Sequence, residues 1–327
     1  MNCLGRFVIA VILTGLTASV SARNFSGLYV FGDSLSDSGN IALIIGSDPN
    51  QIITDNGYIP NSPYASGQFT DGDVWATTFA DAIGLLPFAQ PVLAGGGNFA
   101  FGGARTSTDG LNLPPSLVTQ GAVFLGSTGG IAPHDALYVL QGGGNDARDA
   151  LLAIASGADS QSVIEATATL YAQSIGSLVD QLQTAGAERV VVWNVPNIGL
   201  LPAITQQGSQ ASFLGEQVAL AMNGALSNRL SEETGVTIFD DFNLVTQAVM
   251  NPAAAGLMNA TDACGAIAAC DPSTYLFWDG LHPTSAGHAL LAQHMIQAIP
   301  EPSTYLLLIS GLLLIGAKIR YQRSNEQ

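Results

Sequence analysis

Four short runs of apolar, mostly β-forming residues constrain this chain more than anything else in it: 27–31 (GLYVF), 136–140 (ALYVL), 189–194 (RVVVWN) and 236–239 (VTIF). A strand with one wet face alternates apolar and polar residues. A run that is apolar throughout must be covered on both faces, as in a parallel sheet. Residues 98–101 (NFAF) add a fifth, shorter candidate. Between the runs, 74–83, 161–185 and 211–233 read as helices, and 285–298 supplies a last one. Strand–helix alternation predicts an α/β fold, a three-layer α/β/α sandwich around a five-stranded, mostly parallel sheet. Residues 41–72 and 250–277 are irregular and rich in Asn, Gly, Pro and Tyr, long enough to be substrate-facing loops. No long linker or internal repeat divides 23–299, so these residues form one domain.

Charge separates this middle from the ends. The 327 residues carry a formal net charge of −16. Residues 23–300 hold five basic residues (Arg23, Arg105, Arg148, Arg189, Arg229), no lysine and 23 acidic ones, a net −18. Such a surface argues against nucleic acid as a partner. Without a lysine, the glycine-rich stretches at 95–97 and 142–144 are not a Walker-type phosphate loop.

The ends read as addresses. Residues 1–22 place Arg6 before an apolar run from Phe7 to Leu16 and close on Val20-Ser21-Ala22, the layout of a secretory signal. An uncleaved anchor is the alternative. Residues 300–327 run from Pro300-Glu301-Pro302-Ser303 through an apolar stretch, 306–317, to a cluster containing Lys318, Arg320 and Arg323. This segment closely resembles the PEP-CTERM sorting signal of exopolysaccharide-producing Gram-negative bacteria. The resemblance implies an exosortase-type processing enzyme as partner, a transmembrane C-terminal segment that tethers the chain transiently, and a final extracellular, cell-surface or matrix location. A plain C-terminal anchor is the alternative, and either places the domain outside the cytoplasm. Cys264 and Cys270, six apart in a loop of small residues, favour a local disulfide in such a compartment. A metal site there lacks a histidine at ligand spacing.

In parallel sheets, reactive groups gather where strands end. The first run leads into Gly32-Asp33-Ser34-Leu35, NFAF into Gly102-Gly103-Ala104, and ALYVL into Gly142-Gly143-Gly144-Asn145-Asp146. The last helix follows Asp279-Gly280-Leu281-His282-Pro283. Acyl transfer from an ester needs a nucleophile, a base held in one tautomer, and donors for an oxyanion. Ser34, expected at a strand-to-helix turn, suits the first role. His282 suits the second, with Asp279 on its other ring nitrogen, and the amides of Ser34 and Gly103 with the Asn145 side chain suit the third. Taken singly, each has a duller use: Ser34 as a helix cap, the glycines as turn geometry, Asn145 as a turn residue, His282-Pro283 as a helix entry. His134, His288 and His294 stand alone and read as structural or solvated. Tyr58, Tyr64, Phe69 and Trp75 read as groove-lining or packing aromatics.

Together GDSLSDSGN (32–40), NFAFGGA (98–104), GGND (143–146) and DGLHP (279–283) resemble the GDSL (SGNH) hydrolase family, with Asn194–Gly199 matching an intermediate structural segment. The resemblance spans about 27–297. It implies a flavodoxin-like fold and esterase or lipase activity through an acyl-enzyme. Ser34, His282 and Asp279 would form the triad, and the oxyanion hole would be made by Ser34, Gly103 (of the pair 102–103) and Asn145. It implies no metal and no organic cofactor. Gly-x-Ser-x-Gly is absent around Ser34, which sets the chain apart from nucleophile-elbow hydrolases. The expected substrate is an ester, of a lipid or an acylated carbohydrate. The rival expectations are an exopolysaccharide deacetylase and a non-catalytic matrix or surface binding protein on the same fold.

Overall fold

The computed structural model describes residues 25–109 and 114–299. The expected secretory signal at 1–22 and sorting signal at 300–327 lie outside these residues. Among those described, no helix is long and apolar enough to cross a membrane.

The chain begins with β1 (Leu28–Phe31), α1 (Asn40–Ile45), α2 (Trp75–Ala82) and α3 (Leu117–Ser127). It continues through β2 (Leu137–Leu140), α4 (Gly144–Ala155), α5 (Ser160–Thr184), β3 (Val190–Trp193) and the short α6 (Pro202–Thr205). Then come α7 (Ser209–Leu230), β4 (Val236–Phe239), α8 (Asp241–Met250), β5 (Asn259–Ala263), β6 (Tyr275–Phe277) and α9 (Ser285–Ala298). Strands β1 to β4 form one parallel sheet in chain order, with Val30 opposite Val139, and Val139 opposite Val191.

Residue parity along each strand sorts the core into two layers. Leu28, Val30, Leu137, Val139, Val191 and Trp193 face α2 and α9. Phe31, Tyr138, Leu140, Val190 and Val192 face the layer built by α3, α5 and α7. The central runs β2 and β3 are therefore buried on both sides, whereas the edge strand β4 leaves Ile238 exposed, and the α/β/α layering follows from the central pair.

The fifth strand is a correction. The regular sheet has four strands, and Asn98 forms only isolated bridges with Val30 and Pro91. Residues 97–101 still lie along β1: Val30 N–H donates to Gly97 O at 3.0 Å, and Phe99 N–H donates to Val30 O at 2.7 Å. The ladder stops short because the polar groups of Asn98 turn inward to loops, its Oδ1 accepting from Ala100 N–H at 2.9 Å. This segment and β2 flank β1 on opposite edges, so the loops leaving β1 and β2 open a crevice at a reversal of strand order.

Residues 250–277 are also more ordered than expected. They contain β5 and β6, which pair in a small parallel sheet of their own. The Cys264–Cys270 disulfide lies between those strands, with Cα atoms 5.6 Å apart. Only Phe277 of this region reaches the crevice, whereas Ile41, Ile44, Ile45, Ile59 and Phe69 from 41–72 line it.

Candidate active site

Ser34 sits in a turn, not at a helix start: Ser36 and Asp37 N–H both donate to Asp33 O, and α1 begins only at Asn40. The first amides of α1 are taken by Asp37, and Ser34 caps no described helix. The turn is held from below by buried polar side chains. Asp33 Oδ1 accepts from Leu35 N–H and from Gln141 Nε2, both at 3.0 Å. Gln141 Oε1 accepts from Ser36 Oγ at 2.7 Å, and Trp75 Nε1 donates to Ser36 Oγ at 2.9 Å. Asp37 gathers the amides of Gly39, Asn40 and Gly102 at 2.6–2.8 Å, tying the turn to the 97–102 segment. Asn40 and Asn98 complete the stitching, Asn40 Nδ2 donating to the Asn98 and Ala100 carbonyls and Asn98 Nδ2 to Ser36 O.

The structure brings the other expected residues to this turn. Ser34 Oγ lies 2.8 Å from His282 Nε2, and His282 Nδ1 lies 2.8 Å from Asp279 Oδ2. A carboxylate only accepts, so Nδ1 carries the proton and Nε2 is free to take one from Ser34. Asp279 is fully buried. Its Oδ1 accepts from Leu281 and His282 N–H, both at 2.7 Å, and its Oδ2 also accepts from the Tyr64 hydroxyl at 2.9 Å. Burial, and then Asp279 itself, push the Tyr64 phenol well above its ordinary range, so it stays a donor. The Phe69 ring packs on the imidazole with centroids 5.4 Å apart. Tyr64 is thus neither groove wall nor plain packing, and Trp75 is a buried strut under the turn. Of Tyr58, Tyr64, Phe69 and Trp75, only Phe69 lines the groove.

Asn145 belongs to the first turn of α4, after Gly143 at φ 103°. A Cβ on Gly143 would meet Tyr171 at 2.7 Å and Val195 at 2.8 Å, so this approach requires glycine. One Asn145 Nδ2 hydrogen is bound to Ala104 O at 3.0 Å, which leaves its second hydrogen for a ligand. Gly102 N–H is committed to Asp37, whereas Gly103 N–H and Ser34 N–H meet no acceptor among the described residues. Gly103, at φ 83°, is fixed by Arg105, whose Nη1 donates to its carbonyl at 2.8 Å while pairing with Asp149 at 2.9 and 3.0 Å.

Two cavities meet at Ser34, Asn145, Arg148 and His282. One is a tight slot with about 70 Å³ of free volume, walled by Ile198, Leu201, Val245 and Phe277. The other is an open groove of about 570 Å³, walled by Ile41, Ile44, Ile45 and Phe69. The slot also holds two acids that sequence reading did not assign. Burial pushes Asp33 up to about 6, against opposing hydrogen bonds from Leu35 and Gln141. Burial, then Asp240 and Asp33, push Asp241 up to about 8. His288 is buried with neither ring nitrogen bonded to a described residue, and burial lowers it to about 3.

An imidazole thus bridges a serine and a buried carboxylate beside three N–H groups that no described residue engages. The GDSL-like Lipase/Acylhydrolase family matches residues 28–295, and the chain belongs to that family. Among similar proteins, Esterase EstA of Pseudomonas aeruginosa is 29% identical over 92% of this chain and 51% of its own length. GDSL esterase/lipase At1g73610 of Arabidopsis thaliana is 26% identical over 91% of this chain and 98% of its own. An uncharacterized Pseudomonas putida protein of the trpE-trpG intergenic region is 28% identical over 93% of this chain and 53% of its own. The chain thus spans about half the length of the two Pseudomonas proteins. An extracellular lipase from Streptomyces rimosus is similar in structure, with a TM-score of 0.42 and 18% identity over 84% of this chain and all of that one.

Proposed function

We propose that the chain is a serine carboxylester hydrolase working through an acyl-enzyme. The observation that carries this reading is the pair of 2.8 Å contacts joining Ser34 Oγ, His282 and Asp279. Ser34 Oγ attacks the ester carbonyl as His282 Nε2 takes its proton. The tetrahedral oxyanion accepts from Ser34 N–H, Gly103 N–H and the second Nδ2 hydrogen of Asn145. His282 then protonates the departing alcohol. Water, deprotonated by the same imidazole, attacks the acyl-serine, and the acid leaves as Ser34 regains its proton. Asp279 holds the imidazole in the tautomer that accepts.

Delivery outside the cytoplasm belongs to the same proposal. It is supported by the signal-like composition of 1–22, by the resemblance of 300–327 to a PEP-CTERM segment, and by the disulfide. An exosortase-type enzyme would then process the C-terminal segment.

The test is covalent labelling by a fluorophosphonate probe together with hydrolysis of p-nitrophenyl acetate. Wild type should label and turn over, and Ser34→Ala should do neither. Folded wild type that neither labels nor hydrolyses would refute the reading and favour a non-catalytic binding role.

A further inference from the structure

In a domain this acidic, the placement of cations is informative. Of the four described arginines, Arg229 is paired with Asp180 and Glu233, far along α7 from the site. Arg189 is exposed just before β3, at the opposite end of the strands from Ser34. The other two, Arg105 and Arg148, both line the groove beside the nucleophile. Arg105 is engaged by Asp149 and Gly103 O. Arg148 is different. It is half-buried, lies one turn after Asn145 on α4, and lines both cavities, yet it makes no hydrogen bond or ion pair with a described residue. Asp149 is already paired with Arg105, and Asp33, held on Oδ1 by the neutral donors Leu35 N–H and Gln141, attracts Arg148 through space without bonding to it.

Withdrawing a guanidinium from water without a directly bonded counter-ion is unfavourable; burial and the neighbouring Arg105 disfavour its charge, and the through-space attraction of Asp149 and Asp33 opposes them. Its five N–H donors suit a planar or tetrahedral oxyanion. From the same point the groove runs outward along Ile41, Ile44, Ile45 and Ile59, with Ile44 and Ile45 more than half exposed. An apolar wall leading to an unpaired cation next to a nucleophile matches an amphiphile with its charge near the ester.

We infer that Arg148, flanked by Arg105, is an anion-recognising subsite, and that the preferred substrate is a fatty acyl ester carrying a phosphate or carboxylate close to the scissile bond. This rests on the ester-hydrolase reading above. The charge is read by the guanidinium, and the chain lies along the isoleucine wall.

The test uses three esters of one acyl chain, 1-lauroylglycerol, 1-lauroylglycerol 3-phosphate and a lauroyl ester of glyceric acid, with the full chain as enzyme. The quantity is the ratio of kcat/KM for each anionic ester to that for the neutral one. A charge-assisted contact at this position predicts a ratio of about tenfold to a hundredfold for at least one anionic ester, and which one shows it identifies phosphate or carboxylate. In Arg148→Gln the ratio should collapse to about one, and in Arg148→Lys part of it should return. A wild-type ratio near or below one overturns the inference, as does a ratio that survives in folded Arg148→Gln. Wild type that labels with fluorophosphonate and cleaves the neutral ester without preference loses only this subsite. Wild type that neither labels nor cleaves any of the three esters overturns the ester-hydrolase reading as well.

Discussion

Replacing Asp279 by Asn changes one atom and no volume, and the structure says which atom. Oδ1 accepts two backbone N–H groups at 2.7 Å, neither of which can turn away. An amide NH2 placed there would oppose two fixed donors in a fully buried site. The NH2 therefore takes the Oδ2 position, where the Tyr64 hydroxyl can rotate to accept. The remaining partner at that position is His282 Nδ1. Facing a donor, Nδ1 must become the acceptor, so the proton moves to Nε2. Nε2–H then points at Ser34 Oγ and cannot take its proton. The expected loss is about 10⁴-fold in kcat, or roughly 5.5 kcal/mol of transition-state stabilisation. Steady-state hydrolysis of p-nitrophenyl acetate measures it, the rate of fluorophosphonate labelling should fall in parallel, and the thermal midpoint checks folding. Folded Asp279→Asn retaining more than about a tenth of wild-type kcat would refute the tautomer argument.

Asn145→Ala should lower kcat on the order of 10²–10³-fold with serine labelling still detectable, the signature of a lost oxyanion donor; full activity would remove Asn145 from that role. Asp241→Asn tests the buried acid of the slot. An acid whose folded pKa is about 8, against an unfolded value near 4, keeps a proton in the fold that the unfolded chain releases. Stability therefore falls as pH rises through that window, by up to about 1.4 kcal/mol per pH unit. Asp33, near 6, and the burial-raised Asp37 and Asp146 act in the same direction, and His288, near 3, acts oppositely in acid, so the Asp241 part is the difference between wild type and Asp241→Asn from pH 6.5 to 8. Over that interval the wild-type thermal midpoint should drop more than that of Asp241→Asn, and parallel curves would contradict the assigned burial.

The parallel strands were legible because burial on both faces, complete in β2 and β3, leaves its mark on every residue of a run; the edge strand β4, with Ile238 exposed, was legible from its β-branched residues instead. The loops of the site were legible because they follow those runs. What escaped reading depends on contacts made across the chain. Helix α4 begins in Gly142-Gly143-Gly144-Asn145, a poor helix start by propensity, and forms where the Gly143 backbone packs against Tyr171 and Val195. The polar side chains of Asn40 and Asn98 resemble loop residues in sequence but bind the 97–101 segment to the turn after β1. Tyr64 gave no sign that its hydroxyl reaches Asp279, 215 residues away. The burial of Asp241 and the unpaired state of Arg148 are likewise products of packing between elements distant in sequence.

The contact between Ser34 and His282 joins positions 248 residues apart, and the imidazole immediately precedes the last helix, which packs against α2 on the face of the sheet. That 2.8 Å contact exists only when the turn after β1 and the loop before α9 meet in the folded domain. The contact therefore reports that the two ends of the domain have met, as a checksum reports an intact message. A chain lacking residues 279–299 retains the serine and its turn but has no imidazole to pair with it.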